Sequence, residues 1–478
     1  MSPDPSRYET PLSTRYASEA MSHLFSPAFK HLTWRKLWIA LARAERLSGL
    51  NIRDDQIAAM EKACAHIDWE KAASWERSTR HDVMAHIKTF AEQAPEAADI
   101  IHLGATSCYV TDNTDLLQMR EGLSLLRHQL VQVIRHLSAF AERYAKLATA
   151  SYTHFQPAQP TTVGKRACLW LQDFVIDLHD LEHRLGHFPF LGVKGATGTQ
   201  ASFLALFQGD EKKVRHLETL VAKEMGFTHV LPIAGQTYTR KLDMQIFSIL
   251  GGIAATSHKF ATDMRLLAHL KEVMEPFGKE QVGSSAMPYK RNPMLCERVC
   301  SLSRFVISLQ ENPAYTAATQ WLERSLDDSA GRRLAIPEAF LAIDGVLQLV
   351  ITIAGGMEVN ENAIREHLEE ELPSFSMEPL LMAAVHKGKD RQKIHHYLRE
   401  VSLALSQEPA ALKKEFFLTR LIQDSKLGLT RQEIEAIQSE SLMAGCAPSQ
   451  VAQFLENDVK PLLKRYTSLP AYAPSVEV

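Results

Sequence analysis

A chain of 478 residues is long enough for two or three domains, or for one unusually long helical core. With 45% apolar and 23% charged residues it has the composition of an ordinary globular protein. Its net charge of −3 gives no general pull toward nucleic acid or an acidic membrane, so neither is expected as a partner and any anion binding must come from local arginines.

The opening MSPDPSRYET is polar and proline-rich, unlike a secretory signal, and a cytoplasmic protein is expected. The first chemical cluster is TRHDVMAH at 79–86, where Arg80, His81 and Asp82 are consecutive. A histidine beside an aspartate suits an orienting or proton-transfer role, and equally a plain helix surface. HLGATSCYVTDN at 102–113 follows. There Gly104 permits a close turn, while Thr106 and Ser107 offer hydroxyls and N–H groups to an anion, or simply cap a helix.

The long middle of the chain reads as helix. From Leu116, apolar residues alternate by four and three through Met119, Leu123, Leu126, Leu130, Val133, Leu137, Phe140, Tyr144 and Leu147, in a helix led by Asp112 and Asn113. Further stripes run from Val163 to Leu185 and from Leu242 to Leu270, and a fourth follows Pro337. Such lengths predict a bundle, and their continuous apolar stripes predict partners beyond one chain. The apolar run at 345–357 is interrupted by Gln348 and Thr352 and is too short to span a bilayer. Gly355 and Gly356 are expected to end the last long helix, with shorter, more charged segments beyond. The expected fold class is all-α, with domains at 1–105, 106–356 and 357–478.

Between the first two stripes lies SYTHFQPAQPTT at 151–162, where His154 sits between a helix end and two prolines. A histidine held on such a rigid turn is a candidate general acid. WLERSLDDSAGRR at 321–333 gathers Arg324, Ser329, Arg332 and Arg333, which suit a phosphate clamp. Asp327 and Asp328 make a surface salt-bridge patch the other reading of the same stretch. GVKGATGT at 192–199 lacks the ending of a phosphate-binding P-loop and is not read as one. The six cysteines show no disulfide framework or zinc spacing, so reduced thiols packed as small apolar residues, and no metal, are expected.

The most informative segment is GSSAMPYKRNP at 283–293, which brackets two serines, a lysine, an arginine and an asparagine with Gly and Pro. It reads as a loop, where catalytic groups concentrate. The string resembles the hallmark loop of the fumarase/aspartase superfamily. In chain order TRYAS, RHDVMAH, IHLGATS, THFQPAQ, GQTYTRK, GSSAMPYKRNP and SLDDSAGRR are similar to stretches of the animal-type adenylosuccinate lyase family. The match runs from about Arg15 to Ala354 and thins beyond, most of all over 406–443.

The resemblance implies an N-terminal helical domain, a central long-helix bundle and a small C-terminal helical domain. Four central bundles join in a homotetramer, and each site is shared between chains. The implied reaction eliminates fumarate from adenylosuccinate or from succinylaminoimidazole carboxamide ribotide, with no cofactor. Ser284 is implied as the base, with Ser285 its rival, and His154 as the acid. Lys290 and backbone N–H groups would stabilise the serine alkoxide, and His81 and Asp82 would orient the reactants. Thr106, Ser107, Lys290 and Asn292 would hold the succinyl carboxylates. Arg15, Tyr16, Arg324, Ser329 and Arg333 would hold the phosphate, with Arg80, Gln236 and Arg298 completing the substrate shell. A sister fumarate-releasing lyase, such as argininosuccinate lyase, would need no phosphate clamp. A non-catalytic helical scaffold would need neither His154 nor Ser284 and Lys290.

Overall fold

Helical spacing of apolar residues builds nineteen α-helices among the residues that this computed structural model describes, which are 6–278, 280–441 and 443–474. An N-terminal group comprises α1 (Glu19–Leu24), α2 (Pro27–Leu47), α3 (Asp54–Ala63), α4 (Trp69–Thr79) and α5 (Asp82–Gln93). The long α6 (Ser107–Arg143) leads into a hairpin of β1 (Ala148–Thr153) and β2 (Gln156–Thr162), then α7 (Val163–Gly186). Next come β3 (Pro189–Phe190), α8 (Ala201–Leu206), α9 (Glu211–Glu224) and β4 (His229–Val230), with β3 and β4 parallel. After α10 (Lys241–His269) follow β5 (Val273–Met274), α11 (Met294–Leu309), α12 (Glu311–Thr319), α13 (Asp328–Gly356) and β6 (Glu358–Val359), which pairs antiparallel with β5. The remainder is α14 (Glu361–His386), α15 (Arg391–Leu405), α16 (Ala410–Asp424), α17 (Arg431–Ser441), α18 (Ala447–Phe454) and α19 (Lys460–Lys464).

The bundle centres on α6, which packs on α7 and α13, while α10 packs on α7, α11 and α13. The helix α6 begins at Ser107, ahead of Asp112, and ends before Tyr144 and Leu147. Leu123, Leu130 and Leu137 are fully buried within the single chain. The stripe therefore does not call for outside partners, because α7 and α13 of the same chain already cover that face. Exposed apolar residues lie elsewhere: Leu169 and Ile176, seven apart on α7, and Leu266 on α10.

Two further helix expectations are corrected. Pro337 lies inside α13 rather than before it, and the helix starts at Asp328. A proline costs the interior one N–H bond and a clash, and buried ion pairs near the start of α13 hold those turns in place. Extended this way, α13 is long and apolar enough to cross a membrane, although 83% of that window is buried inside the protein. That burial makes it a core helix. Nor is it the last long helix, since α14 has 26 residues despite Pro373 and Pro379.

A second apolar core gathers Leu380, Tyr397, Val401, Phe417, Leu421 and Ile434 from α14 to α17. The main core takes Ile364 and Phe375 from α14, then regains the chain at Val451, Leu455, Val459 and Leu462. Four cysteines are buried, but Cys64 is half-buried and Cys446 exposed, so not all serve as core residues.

Candidate active site

A cavity of about 990 Å³ opens where the N-terminal helices meet the starts of α6 and α13. Its chemistry is built from helix ends. The last turn of α4 closes on Arg80 in the left-handed conformation (φ 53°), which turns the chain so that His81 becomes the N-cap of α5. The His81 Nδ1 accepts the Met84 N–H at 3.3 Å, so in the neutral ring the proton sits on Nε2. That nitrogen faces the Ser107 hydroxyl at 3.5 Å. Asp82 occupies the first turn of α5, where a carboxylate is favoured. One of its oxygens accepts the Val83 N–H at 2.8 Å, and the other meets Arg333 at 3.1 Å.

Thr106 is the N-cap of the 37-residue α6, yet its hydroxyl makes no capping bond. The first N–H groups of α6 are left without that partner, the usual arrangement of an anion site. The preceding turn needs Gly104: its φ is 66°, and a Cβ there would come within 2.8 Å of Phe203. Gln236 comes from the loop before α10, donating to the Ala196 carbonyl at 3.1 Å and accepting from the Cys108 thiol at 3.6 Å. Burial pushes that thiol up to about 12, so Cys108 lines the cavity as a neutral group.

Opposite lies the start of α13. Arg324 meets both oxygens of Asp328 at 3.0 Å, Ser329 is in the first turn, and Arg333 reaches across to Asp82. Arg332, read from sequence as part of the same clamp, turns inward instead, because it lies on the buried face of α13. It pairs with Asp243 at 2.7 Å and Asp115 at 2.9 Å and is almost completely buried. Beside it Arg240 binds Asp112 at 2.9 Å and Asp328 at 2.7 Å. Burial lowers the Arg240 guanidinium, but Asp112 together with Tyr238 and Asp243 outweighs it and holds the group above its ordinary value. These paired charges form a rigid floor, since removing one partner would strand the other in the interior. Sequence reasoning missed this floor, though Arg240 lay within GQTYTRK and Asp112 had been noted as leading its helix.

Of the sixteen residues to which the resemblance gave a site role, nine line this one cavity: Arg80, His81, Asp82, Thr106, Ser107, Gln236, Arg324, Ser329 and Arg333. The other seven do not. His154 stands exposed at the tip of the β1–β2 hairpin, where it and Phe155 have φ of 55° and 58°. Two successive positive φ values make the two-residue hairpin turn that usually takes Asn-Gly, and such conformations are kept where something depends on them. The hairpin base is anchored by fully buried Glu272, which accepts from Thr149 (3.3 Å), Tyr152 (3.4 Å) and His367 (2.8 Å). Burial and the Glu272 charge push the Tyr152 hydroxyl up to about 12.

Three residues further on, buried Glu275 accepts the Leu295 and Cys296 N–H groups at 3.0 and 2.9 Å, fixing the far end of the 283–293 loop to α11. Within that loop Asn292 donates to the Gly283 carbonyl at 2.8 Å. A Cβ on Gly283 would run into the Lys290 carbonyl. Ser284 Oγ accepts the N–H groups of Met287 (3.2 Å) and Ala286 (3.4 Å), while Ser285 and Lys290 are exposed. Tyr16 packs at Gly345, with the Arg298 guanidinium 5.9 Å from its ring centre. The Arg298 Nη1 is buried with no hydrogen-bond partner, and Arg15 beside Tyr16 is exposed.

Known proteins place this arrangement. The lyase family model matches residues 16–308. The chain is 46% identical over 471 residues to adenylosuccinate lyase of Schizosaccharomyces pombe, with 97% of each chain covered. It is 47% identical over 472 residues to that of Saccharomyces cerevisiae, again with 97% of each covered. Similarity on this scale extends through the C-terminal part, where the resemblance had thinned. Among solved structures, a fumarate lyase from Mesorhizobium sp. BNC1 superposes with a TM-score of 0.79 at 23% identity, covering 94% of this chain and 100% of that one. The 3-carboxy-cis,cis-muconate lactonizing enzyme from Pseudomonas putida also gives 0.79, at 24% identity over 95% and 99%, and both bear on the fold alone. The chain belongs to the adenylosuccinate lyase family.

Proposed function

We propose that this protein is an adenylosuccinate lyase, releasing fumarate from adenylosuccinate to give AMP. The same site would act on succinylaminoimidazole carboxamide ribotide to give the carboxamide ribotide. The observation that carries the reading is one cavity holding Arg324, Ser329 and Arg333 at the start of α13 together with His81, Ser107 and the open N-terminus of α6. Guanidinium forks beside a helix start suit a phosphate, and free helical N–H groups suit a carboxylate.

The elimination removes a proton from the carbon next to a succinyl carboxylate and breaks the C–N bond at the neighbouring carbon. The electron pair left by the proton spreads onto the carboxylate, so donors aimed there lower the barrier. In our reading Ser284 takes that proton and His154 protonates the departing nitrogen. A serine is a weak base unless donors surround its alkoxide, and the Met287 and Ala286 N–H groups already point at Ser284 Oγ.

Neither His154 nor Ser284 lines the cavity of its own chain. We therefore place the working site between chains of a homotetramer, where the hairpin of one subunit and the loop of another complete the cavity of a third. The exposed Leu169, Ile176 and Leu266 on the bundle helices support such an assembly. The compartment we propose is the cytoplasm, where thiols such as the six free cysteines persist. The test is fumarate release measured with adenylosuccinate, argininosuccinate and malate. Activity confined to adenylosuccinate supports the reading, and turnover of either other substrate in its place overturns it.

A further inference from the structure

Six cations line the cavity: Lys30, Arg80, Arg240, Arg324, Arg332 and Arg333. Four of them are held by carboxylates: Arg240 by Asp112 and Asp328, Arg324 by Asp328, Arg332 by Asp115 and Asp243, and Arg333 by Asp82. Among the described residues, the side chains of Lys30 and Arg80 have no hydrogen bond or ion pair. Arg80 belongs to a stretch already assigned to the substrate shell, whereas nothing in the sequence drew attention to Lys30. It sits in the first turns of α2, half-buried, with its ammonium 5.4 Å from the Trp34 ring centre. Asp115, the acid that feels its charge, is engaged by Arg332 of α13. Lys30 thus shares the cavity lining with the start of α13 and has no carboxylate partner of its own.

We propose that Lys30 is a further substrate-binding residue, whose ammonium completes the Arg324, Ser329 and Arg333 clamp on the nucleotide phosphate. The proposal rests on the reading of that clamp as a phosphate site. A lysine contributes a point charge with three rotatable donors, where an arginine contributes a fixed fork. It can therefore reach a phosphate oxygen that the forks leave open. A half-buried ammonium over an indole face is partly shielded from water, which strengthens its attraction for an incoming dianion.

The test compares binding of AMP and of adenosine to the full-length parent, Lys30→Met, Lys30→Arg and Arg333→Ala. Lys30→Met keeps much of the stem's bulk and loses the charge, and a thermal melt verifies that each variant is folded. AMP affinity is expected to fall about tenfold or more in Lys30→Met, adenosine affinity to stay level, and Lys30→Arg to recover most of the loss. Unchanged AMP affinity in Lys30→Met, alongside a loss in Arg333→Ala, overturns the role of Lys30 and leaves the clamp standing. Unchanged AMP affinity in both variants overturns the clamp itself. Equal losses for AMP and adenosine also overturn the proposal, since they indicate disturbed packing rather than a lost phosphate contact.

Discussion

Arg333 and Asp82, 251 positions apart in the chain, meet at 3.1 Å and tie the start of α13 to the start of α5 across the cavity. The Arg333 side chain is 61% exposed, so water screens the pair and its worth to the fold is about 0–1 kcal/mol. A charge-assisted contact to phosphate is worth more, about 1.5–3 kcal/mol. Arg333→Ala should therefore leave the urea midpoint almost unmoved while weakening AMP inhibition between about tenfold and a hundredfold. If AMP inhibits the variant as well as the parent, the phosphate is held elsewhere.

Ser284 should be separable from its neighbour. Its Oγ accepts two backbone N–H bonds inside the loop, whereas Ser285 is exposed. Ser284→Ala should fold normally and lose turnover by about 10²- to 10⁴-fold, the usual share of a general base, with Ser285→Ala much milder. Near-parental activity in purified Ser284→Ala would sink the assignment of the base.

Shared sites carry their own signature. His154→Ala and Ser284→Ala are each expected to be inactive, yet a mixed tetramer would contain some sites with an intact histidine from one chain and an intact serine from another. Co-refolding the two should restore fumarate release. Verified mixed tetramers without activity would mean that acid and base come from one chain.

Stability should fall away on both sides of neutrality, for two different reasons. His31 and His86 stack at 3.9 Å under Trp34 and Trp69, and burial, before any charge effect, holds them at about 3 and about 4. Both stay neutral in the fold while the unfolded chain takes up protons below about 6.5, so their stabilisation is complete above that pH and is lost as pH falls toward 4 and 3. Glu45 is buried with no partner for either oxygen, and burial pushes it up to about 9. The folded state then keeps a proton that the unfolded chain releases above about 4.5, so stability declines as pH rises from there toward 9. Urea midpoints measured across this range should show a shallower alkaline decline in Glu45→Gln and a shallower acid decline in His86→Phe. Slopes identical to the parent would show that these groups are not buried as described.

The sequence by itself determined the family and the helical class, and it supplied the candidate reactive groups. Periodicity is a local property, and the Leu116 to Leu137 stripe announced α6 without reference to anything around it. Motifs such as GSSAMPYKRNP are contiguous, so their residue types were legible in one dimension. What covers a stripe is not a local property. Only the tertiary structure showed that α7 and α13 close over Leu123 and Leu130, and that Pro337 is carried inside a helix held by Asp328 and Arg332. The same holds for charges. Arg332 and Arg333 are adjacent in sequence and look alike, but successive residues on a helix point about 100° apart. One therefore entered the buried floor while the other stayed at the cavity mouth, and Lys30 came to face the same cavity from a segment that no motif marks.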